Sequence, residues 1–318
     1  MTLITMEDPT RKLSFSAVAD EQPTSAQCEP GRLKVFVRLR ALGSSAHESS
    51  DMHATQSTIS IRTTKSTAQA KSSMEETSFS FDGVFDATAT QAEVFEAAML
   101  PQVQGLFSER DTLTFAYGIT NAGKTYTIQG NGTGSENGAL PRAFEVIFAA
   151  IDNNAARAGG GSPELSGAAA AAPVLDPTSK YEVRASFLEV YGNDAFDLLV
   201  APEKGAVKRQ TLRLKEEKGQ VLVEGLREVE ISSYASAMEA LQLGWTNRQS
   251  ASNGLNDLSS RSHAVLSLRL LTTKAGARAP TATRMCVVDL AGAERQKKTQ
   301  AKGTRLIEAN SINKVMHN

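Results

Sequence analysis

The sequence predicts an α/β fold built around a phosphate loop, and three observations carry that reading. Compact apolar runs with a β-branched bias alternate with segments of helical periodicity. One run, TLTFAY (112–117), leads into GITNAGKT (118–125), which fits G-x-x-x-x-G-K-[ST] without a mismatch and precedes a helical pattern. Another, TRMCVVDLAG (283–292), carries Asp289 at the end of its apolar stretch.

The elements follow in order. Residues 1–31 are rich in Ser, Thr, Pro and charge and read as a disordered leader ahead of one domain over 32–318. LKVFVRL (33–39) is the first strand, TISIRTT (58–64) an alternating second, and SFSFDGVF (78–85) a further short strand and turn. TQAEVFEAAMLPQVQGLF (90–107) has helical spacing, with Pro101 expected to kink it. Helices are expected at 123–129 and 140–152. Residues 153–180 are low in complexity, contain Gly159 to Gly161, and read as a surface insertion. YEVRASFLEVY (181–191) resumes as a strand, DAFDLL (194–199) suggests a helical turn, and 210–231 reads as short strands turning at Lys218–Gly219. An amphipathic helix at 232–249, capped by Ser232 or Ser233, precedes buried strands at 261–272 and 283–292, and a helix begins near 303.

Composition excludes several classes. Lys and Arg total 34 against 35 Asp and Glu, so a polybasic nucleic-acid wrapper is not expected. Two cysteines, Cys28 and Cys286, cannot build a disulfide framework or a thiolate zinc site. The four histidines lack H-E-x-x-H spacing. No apolar run reaches the roughly 20 residues of a membrane helix, and the N-terminal segment has no continuous apolar region of a signal peptide. An intracellular protein with neither membrane nor nucleic-acid partners is the expectation.

The phosphate loop has a direct physical rationale. A polyphosphate needs several inward N–H groups and a positive helix end, which glycines permit by removing side chains. Gly118 and Gly123 allow that approach, Lys124 brings a charge to the outer phosphates, and the Thr125 hydroxyl suits Mg²⁺. The competing reading, a glycine turn with a chance lysine, is weakened by the strand before and the helix after. NDLSSRSH (256–263) gathers hydroxyls, an Arg and a His before a strand; alone it would read as a Ser-rich turn. DLAGAER (289–295) places Asp289 in the Mg²⁺-holding strand-end position, with Gly292 offering a bare N–H and Glu294 a partner for an arginine. Together the three segments form a two-switch nucleotide site.

FAYGITNAGKTYTIQG (115–130), NDLSSRSH and DLAGAER, in this order, resemble the motor head of the kinesin superfamily, with VFVRLR (35–40) and FLEVYGNDAFDLL (187–199) as supporting segments. TNAGKTYTIQG followed by LPRAFEVIF resembles the sixth-class, cytokinetic branch in particular. The resemblance implies a central mixed sheet flanked by helices on both faces. It implies ATP and Mg²⁺ as ligands, microtubules (tubulin) as partner, a cytoskeletal location, and dimerisation through a stalk absent from this chain. Carried over residue by residue, it assigns nucleotide binding to Arg38 and to Gly118, Ile119, Thr120, Asn121, Ala122, Gly123, Lys124, Thr125 and Tyr126. It assigns Mg²⁺ to Thr125, Ser260 and, through water, Asp289, and catalysis to Ser259, Ser260, Arg261, Gly292 and Glu294, with Arg261 and Glu294 closing as a salt bridge. Asn256 joins the first switch.

Some features depart from the pattern. Ala41 replaces a proline beside the adenine site, Ala293 replaces a serine of the second switch, and IEANSINKVMHN (307–318) only begins the helix that carries the main tubulin contacts. A truncated, non-motile nucleotide-binding module is therefore one rival. A GTPase switch is the other, though no N/T-K-x-D guanine motif is found. Basic segments at 212–220 and 297–305 are candidates for acidic tubulin or plain solvated loops. Tyr117 and Tyr126 could pack in the core or lie near the nucleotide, with the core the safer reading, Trp245 is expected to pack, and His263 to be hydrogen-bonded structure.

Overall fold

The structure is a computed structural model and describes residues 1–7, 33–40, 52–66, 72–132, 134–160, 170–200, 209–217, 220–250 and 261–293. Its strands are β1 (Thr2–Glu7), β2 (Lys34–Arg38), β3 (Met52–Ala54), β4 (Thr58–Ser66), β5 (Ser72–Ser80), β6 (Gly83–Phe85), β7 (Thr112–Tyr117), β8 (Lys180–Tyr191), β9 (Asp194–Asp197), β10 (Arg213–Glu217), β11 (Gln220–Glu224), β12 (Val229–Ile231), β13 (His263–Thr273) and β14 (Thr281–Asp289). The helices are α1 (Gln91–Val94), α2 (Leu100–Phe107), α3 (Lys124–Ile128), α4 (Ala139–Ala158) and α5 (Tyr234–Ser250), with a π-helical turn, Phe95–Met99, joining α1 to α2.

One large sheet runs β12-β8-β13-β14-β7-β1-β2-β6, with β9 added on β8. It is mixed, as expected: β14 lies parallel to β7 and β2 parallel to β6, and the other pairs are antiparallel. β3-β4-β5 and the β10–β11 hairpin are separate small sheets.

Along β13, Ala264, Leu266, Leu268 and Leu270 are buried while Val265, Ser267, Arg269 and Leu271 are half-buried. That alternation is the signature of a sheet whose two faces are unequally covered. The buried face meets the helices. Phe144, Ile147, Val103, Leu106 and Trp245 share one core with Leu266, Leu268 and Met285. Helix α4 packs against α1, α2, α3 and α5. The expected large mixed sheet with packed helices is present, and the helix expected from 303 lies outside the described residues.

Local chemistry explains several elements. Thr90 caps α1: its hydroxyl accepts from the Glu93 N–H while the Glu93 carboxylate accepts from the Thr90 N–H. Pro101 does not break the helix. The turn before it widens to π form, so Leu100 N–H bonds to Phe95 O and the missing proline N–H falls in the first turn of α2. Helix α5 seats against β8 at Gly244, where a Cβ would come within 2.1 Å of the Phe187 ring. Trp245 meets that ring edge-on at 5.4 Å.

Four expectations are corrected. Residues 1–31 are not wholly outside the fold, because Thr2–Glu7 is an interior strand with Leu3 buried; its alternation was masked by the polar stretch that follows. The insertion expected at 153–180 is narrower: α4 continues to Ala158, and 170–179 is anchored by buried Leu175 and by the Asn154 side-chain amide, which donates to Asp176 O at 3.2 Å. DAFDLL is not a helical turn; Asp194–Asp197 pairs with β8 across a turn at Gly192 (φ 59°), burying Ala195 and Leu198. Tyr117 is 40% exposed rather than packed. Among the described residues no helix is long and apolar enough to cross a membrane.

Candidate nucleotide site

The phosphate loop leaves β7 at Tyr117 and enters α3 at Lys124. Asn121 (φ 63°) and Gly123 (φ 96°) take left-handed backbone, the conformation that turns successive N–H groups toward one point. Gly123 has open space around its missing Cβ, so the glycine serves its dihedral rather than a close contact. Lys124 is buried; its Nζ donates to the carbonyls of Gly118 (2.8 Å) and Ile119 (2.9 Å), holding the ammonium across the loop.

Asp289 comes to the same place from β14. Its Oδ2 accepts from the Thr125 hydroxyl at 2.9 Å and from Arg248 Nη1 at 2.8 Å. Arg248 and Asp289 side chains are both 3% exposed, so this is a buried ion pair. Arg248 Nη2 also donates to Ser262 O at 2.8 Å, and its guanidinium lies 5.2 Å from the Trp245 ring centre. Sequence reasoning missed Arg248: it lies on a helix with no motif, and only the packing of α5 through Gly244 brings it to Asp289. Asp289 Oδ1 is buried with no hydrogen-bond partner.

The two strand ends are tied by backbone and histidine. Leu290 N–H donates to Ala116 O at 3.3 Å and Ala293 N–H to Gly118 O at 3.2 Å. His263 Nδ1 accepts from Ala291 N–H at 3.1 Å, which joins the start of β13 to the DLAG turn. Burial first, then the charge of Arg248, hold the His263 pKa below its ordinary value against the opposing charge of Asp289. His263 is hydrogen-bonded structure, as expected.

The opposite end of the cleft is assembled from distant segments. Arg38 Nη1 donates to Gln91 Oε1 (2.9 Å) and Thr127 Oγ1 (3.0 Å), and Nη2 to Ala89 O (3.1 Å). Its guanidinium sits 5.1 Å from the Tyr126 ring centre. Tyr126 OH donates to Glu136 Oε2 at 2.6 Å, and this hydrogen bond, ahead of burial, raises the phenol pKa. Arg40 donates to Asn121 O, bridging the wall to the phosphate loop. Tyr126, assigned to the nucleotide by the resemblance, lines this end of the cleft. Gln91 and Glu136 were also missed, since each acts through a partner far away in sequence.

The cleft between these ends holds about 830 Å³ and is lined by Arg38, Thr120, Asn121, Ala122, Gly123, Lys124, Thr125, Tyr126, Asp289 and Gly292 among others. Gly118 and Ile119 belong to the loop but not to that lining, and Ile119 is 59% exposed. Arg261 is half-buried before β13 and is not among the residues lining the cleft. Ser259, Ser260 and Glu294, with Asn256, lie outside the described residues, and so does the expected Arg261–Glu294 bridge. Among the described residues no group of three or more His, Cys, Asp and Glu could hold a metal by itself. A Thr hydroxyl, a buried carboxylate oxygen without a partner, and phosphate oxygens are nevertheless the donor set Mg²⁺ takes beside a nucleotide.

A mixed sheet with a phosphate loop between strand and helix, facing an aspartate at the next parallel strand end, defines a phosphate-loop nucleotide-binding domain. The chain belongs to the kinesin family: the kinesin motor domain model matches residues 38–318. It is 32% identical over 315 residues to the kinesin-like protein KIF15 of Homo sapiens, covering 97% of this chain and 21% of that protein. The chain thus spans about a fifth of the length of this curated relative. A structure of a KIF14 segment with ADP in complex with a microtubule superposes with a TM-score of 0.68 at 30% identity, covering 89% of this chain and 75% of that one. A structure named kinesin 6 gives a TM-score of 0.65 at 25% identity, covering 89% and 79%.

Proposed function

We propose that this chain is the nucleotide-binding part of a microtubule motor that hydrolyses ATP and couples the presence of the γ-phosphate to microtubule affinity. The observation that carries the reading is Asp289: its carboxylate reaches Thr125 of the phosphate loop while its second oxygen stays buried and unpartnered. Thr125 and Asp289, with Ser260, would hold Mg²⁺, which supplies charge neutralisation at the phosphate oxygens. Lys124 binds the outer phosphates, and the N–H groups of 118–125 cradle the chain. Arg38 and Tyr126 border the base. Ser259, Ser260, Arg261, Gly292 and Glu294 form the switches: Gly292 N–H faces the γ-phosphate side, and Glu294 receives the proton of the attacking water through a water chain. His263, by holding Ala291 N–H, ties the second switch to the strand that follows the first.

Microtubules as partner and the cytoskeleton as location follow from family membership and from the microtubule-bound KIF14 neighbour. The finer reading is a spindle-midzone, cytokinetic role of the sixth-class type, with dimerisation through a stalk; it rests on the motif resemblance. The test is titration of Mg²⁺-ATP into the purified chain and its Lys124→Ala variant, followed by phosphate release with and without microtubules. Binding lost in the variant supports the site; equal binding in both, or none in either, overturns it. Binding without microtubule-stimulated release favours the rival, a non-motile nucleotide module.

A further inference from the structure

The helix-covered face of the large sheet buries a second carboxylate, Glu189 of β8, which is 2% exposed. It shares a row with Asp289. Ala264 of β13 pairs with Glu189 on one side and with Asp289 on the other. Residues paired directly across strands point to one face, so all three do. Two strand spacings, about 9–10 Å, separate the backbones of the two carboxylates. Only an alanine side chain stands between them.

Each carboxylate has its own arginine, and the two are held unequally. Arg248 spends Nη1 on Asp289, Nη2 on Ser262 O and Nε on the Ser262 hydroxyl, two residues before Ala264. Arg209 reaches Glu189 through Nη1 alone, at 2.5 Å, and lies 4.3 Å from the ring centre of Phe196, the residue paired with Glu189 in β9. Its side chain is 21% exposed, and its Nη2 is buried without a hydrogen-bond partner among the described residues. Arg209 also comes from outside the sheet. Residues 209–212 lead into the β10–β11 hairpin, which is fastened to β9 where Leu212 N–H donates to Ala195 O at 2.8 Å. A buried carboxylate stripped of its cation is strongly unfavourable. If the hairpin root withdraws Arg209, Arg248 is at hand, bonded to the segment that enters the neighbouring strand.

We propose that Arg209 is a positioning residue for the nucleotide site. By neutralising Glu189 it keeps Arg248 assigned to Asp289, and its withdrawal lets Arg248 exchange one carboxylate for the other. Asp289 then faces Mg²⁺ with its charge uncompensated, and the ion is held more tightly. The hairpin root thus sets the charge at the strand end that meets Thr125. The claim about Mg²⁺ rests on the nucleotide-site reading; the exchange of partners does not.

The experiment compares the full chain with Arg209→Gln, Arg209→Lys and the double variant Arg209→Gln/Glu189→Gln. Two quantities are read: the Mg²⁺ concentration that half-saturates ATP binding, and the NMR resonance of Arg248 Nε, which needs no nucleotide. Arg209→Gln should lower the Mg²⁺ requirement about tenfold, the size of effect a unit charge gives across two strands of a buried sheet. It should also shift the Arg248 resonance. The double variant has no rival carboxylate and should match wild type in both readouts, and Arg209→Lys, which keeps the charge, should stay within about twofold. Loss of packing alone would not tighten Mg²⁺ binding, so the gain is the diagnostic. An unchanged or raised Mg²⁺ requirement in Arg209→Gln overturns the proposal. So does a gain that the double variant retains, because Glu189 is then not its source, and so does a gain with the Arg248 resonance unmoved. If Arg209→Gln does not fold, the double variant decides: recovery of the fold supports the proposal, and failure overturns it, because the pair is then packing rather than charge. A wild-type chain that binds no Mg²⁺-ATP counts against the nucleotide reading alone, and the Arg248 resonance then decides the exchange.

Discussion

The two ends of the cleft are built by different means. The phosphate end is local: Gly118, Gly123, Lys124 and Thr125 fall within one turn, and a parallel neighbour strand brings Asp289 beside them. The base end is composite: Arg38, Gln91, Tyr126 and Glu136 come from four segments and are joined by a chain of hydrogen bonds, in which Gln91 Nε2 donates to the Tyr126 carbonyl. A local site is set by backbone dihedrals and survives small shifts of its surroundings. A composite site depends on the sheet and loops that deliver its parts.

That contrast can be broken or sharpened by measurement. The largest effect belongs to Arg248→Ala, which leaves a buried carboxylate at Asp289 without its cation and should cost about 3–5 kcal/mol in denaturant unfolding. Next, Lys124→Ala should weaken Mg²⁺-ATP and Mg²⁺-tripolyphosphate alike, by a hundredfold or about 2.7 kcal/mol. Arg38→Ala should weaken ATP by about tenfold, roughly 1.4 kcal/mol, and leave tripolyphosphate unchanged. Equal losses for both ligands in this variant would erase the distinction between the two ends.

A smaller effect follows from His263. Its folded pKa lies below the unfolded value of about 6.5, so the folded state binds fewer protons there. Its contribution to stability is present above about 6.5 and is lost as pH falls below that value, because a protonated Nδ1 cannot accept from Ala291. His263→Gln should flatten unfolding stability between about pH 7 and pH 5. The smallest change is expected for Tyr126→Phe, which removes the bond to Glu136 and should alter ATP affinity by no more than about threefold, under 0.7 kcal/mol.

The same contrast explains what could be read in the sequence. The phosphate loop and Asp289 were legible because contiguous residues with fixed dihedral demands carry the chemistry. Strands such as 112–117 and 283–289 were legible from apolar runs, and Thr90 could cap α1 within its own turn. Arg248 was not legible, because its role appears only when Gly244 lets α5 settle on Phe187. Glu136 was hidden in a glycine-rich turn, and DAFD became a strand through pairing with β8 that no local preference announces. Six residues of strand at the start of the chain were lost to the composition of the stretch behind them.

Gly130 and Gly138 close on each other at the foot of the turn between α3 and α4. A Cβ on Gly130 would fall 2.1 Å from Glu136 O, and one on Gly138 would fall 2.5 Å from Gly130 N. Neither position accepts a side chain, so both ends of 131–137 are clamped while its middle projects beside the cleft through Ser135 and Glu136. The segment between the clamps is tied to both helices, by Tyr126 OH donating to Glu136 and Arg142 Nη2 donating to Ser135 O. For an engineer this makes a fixed mounting point: a reporter group on exposed Ser135 would sit at the rim of the pocket and register its occupancy.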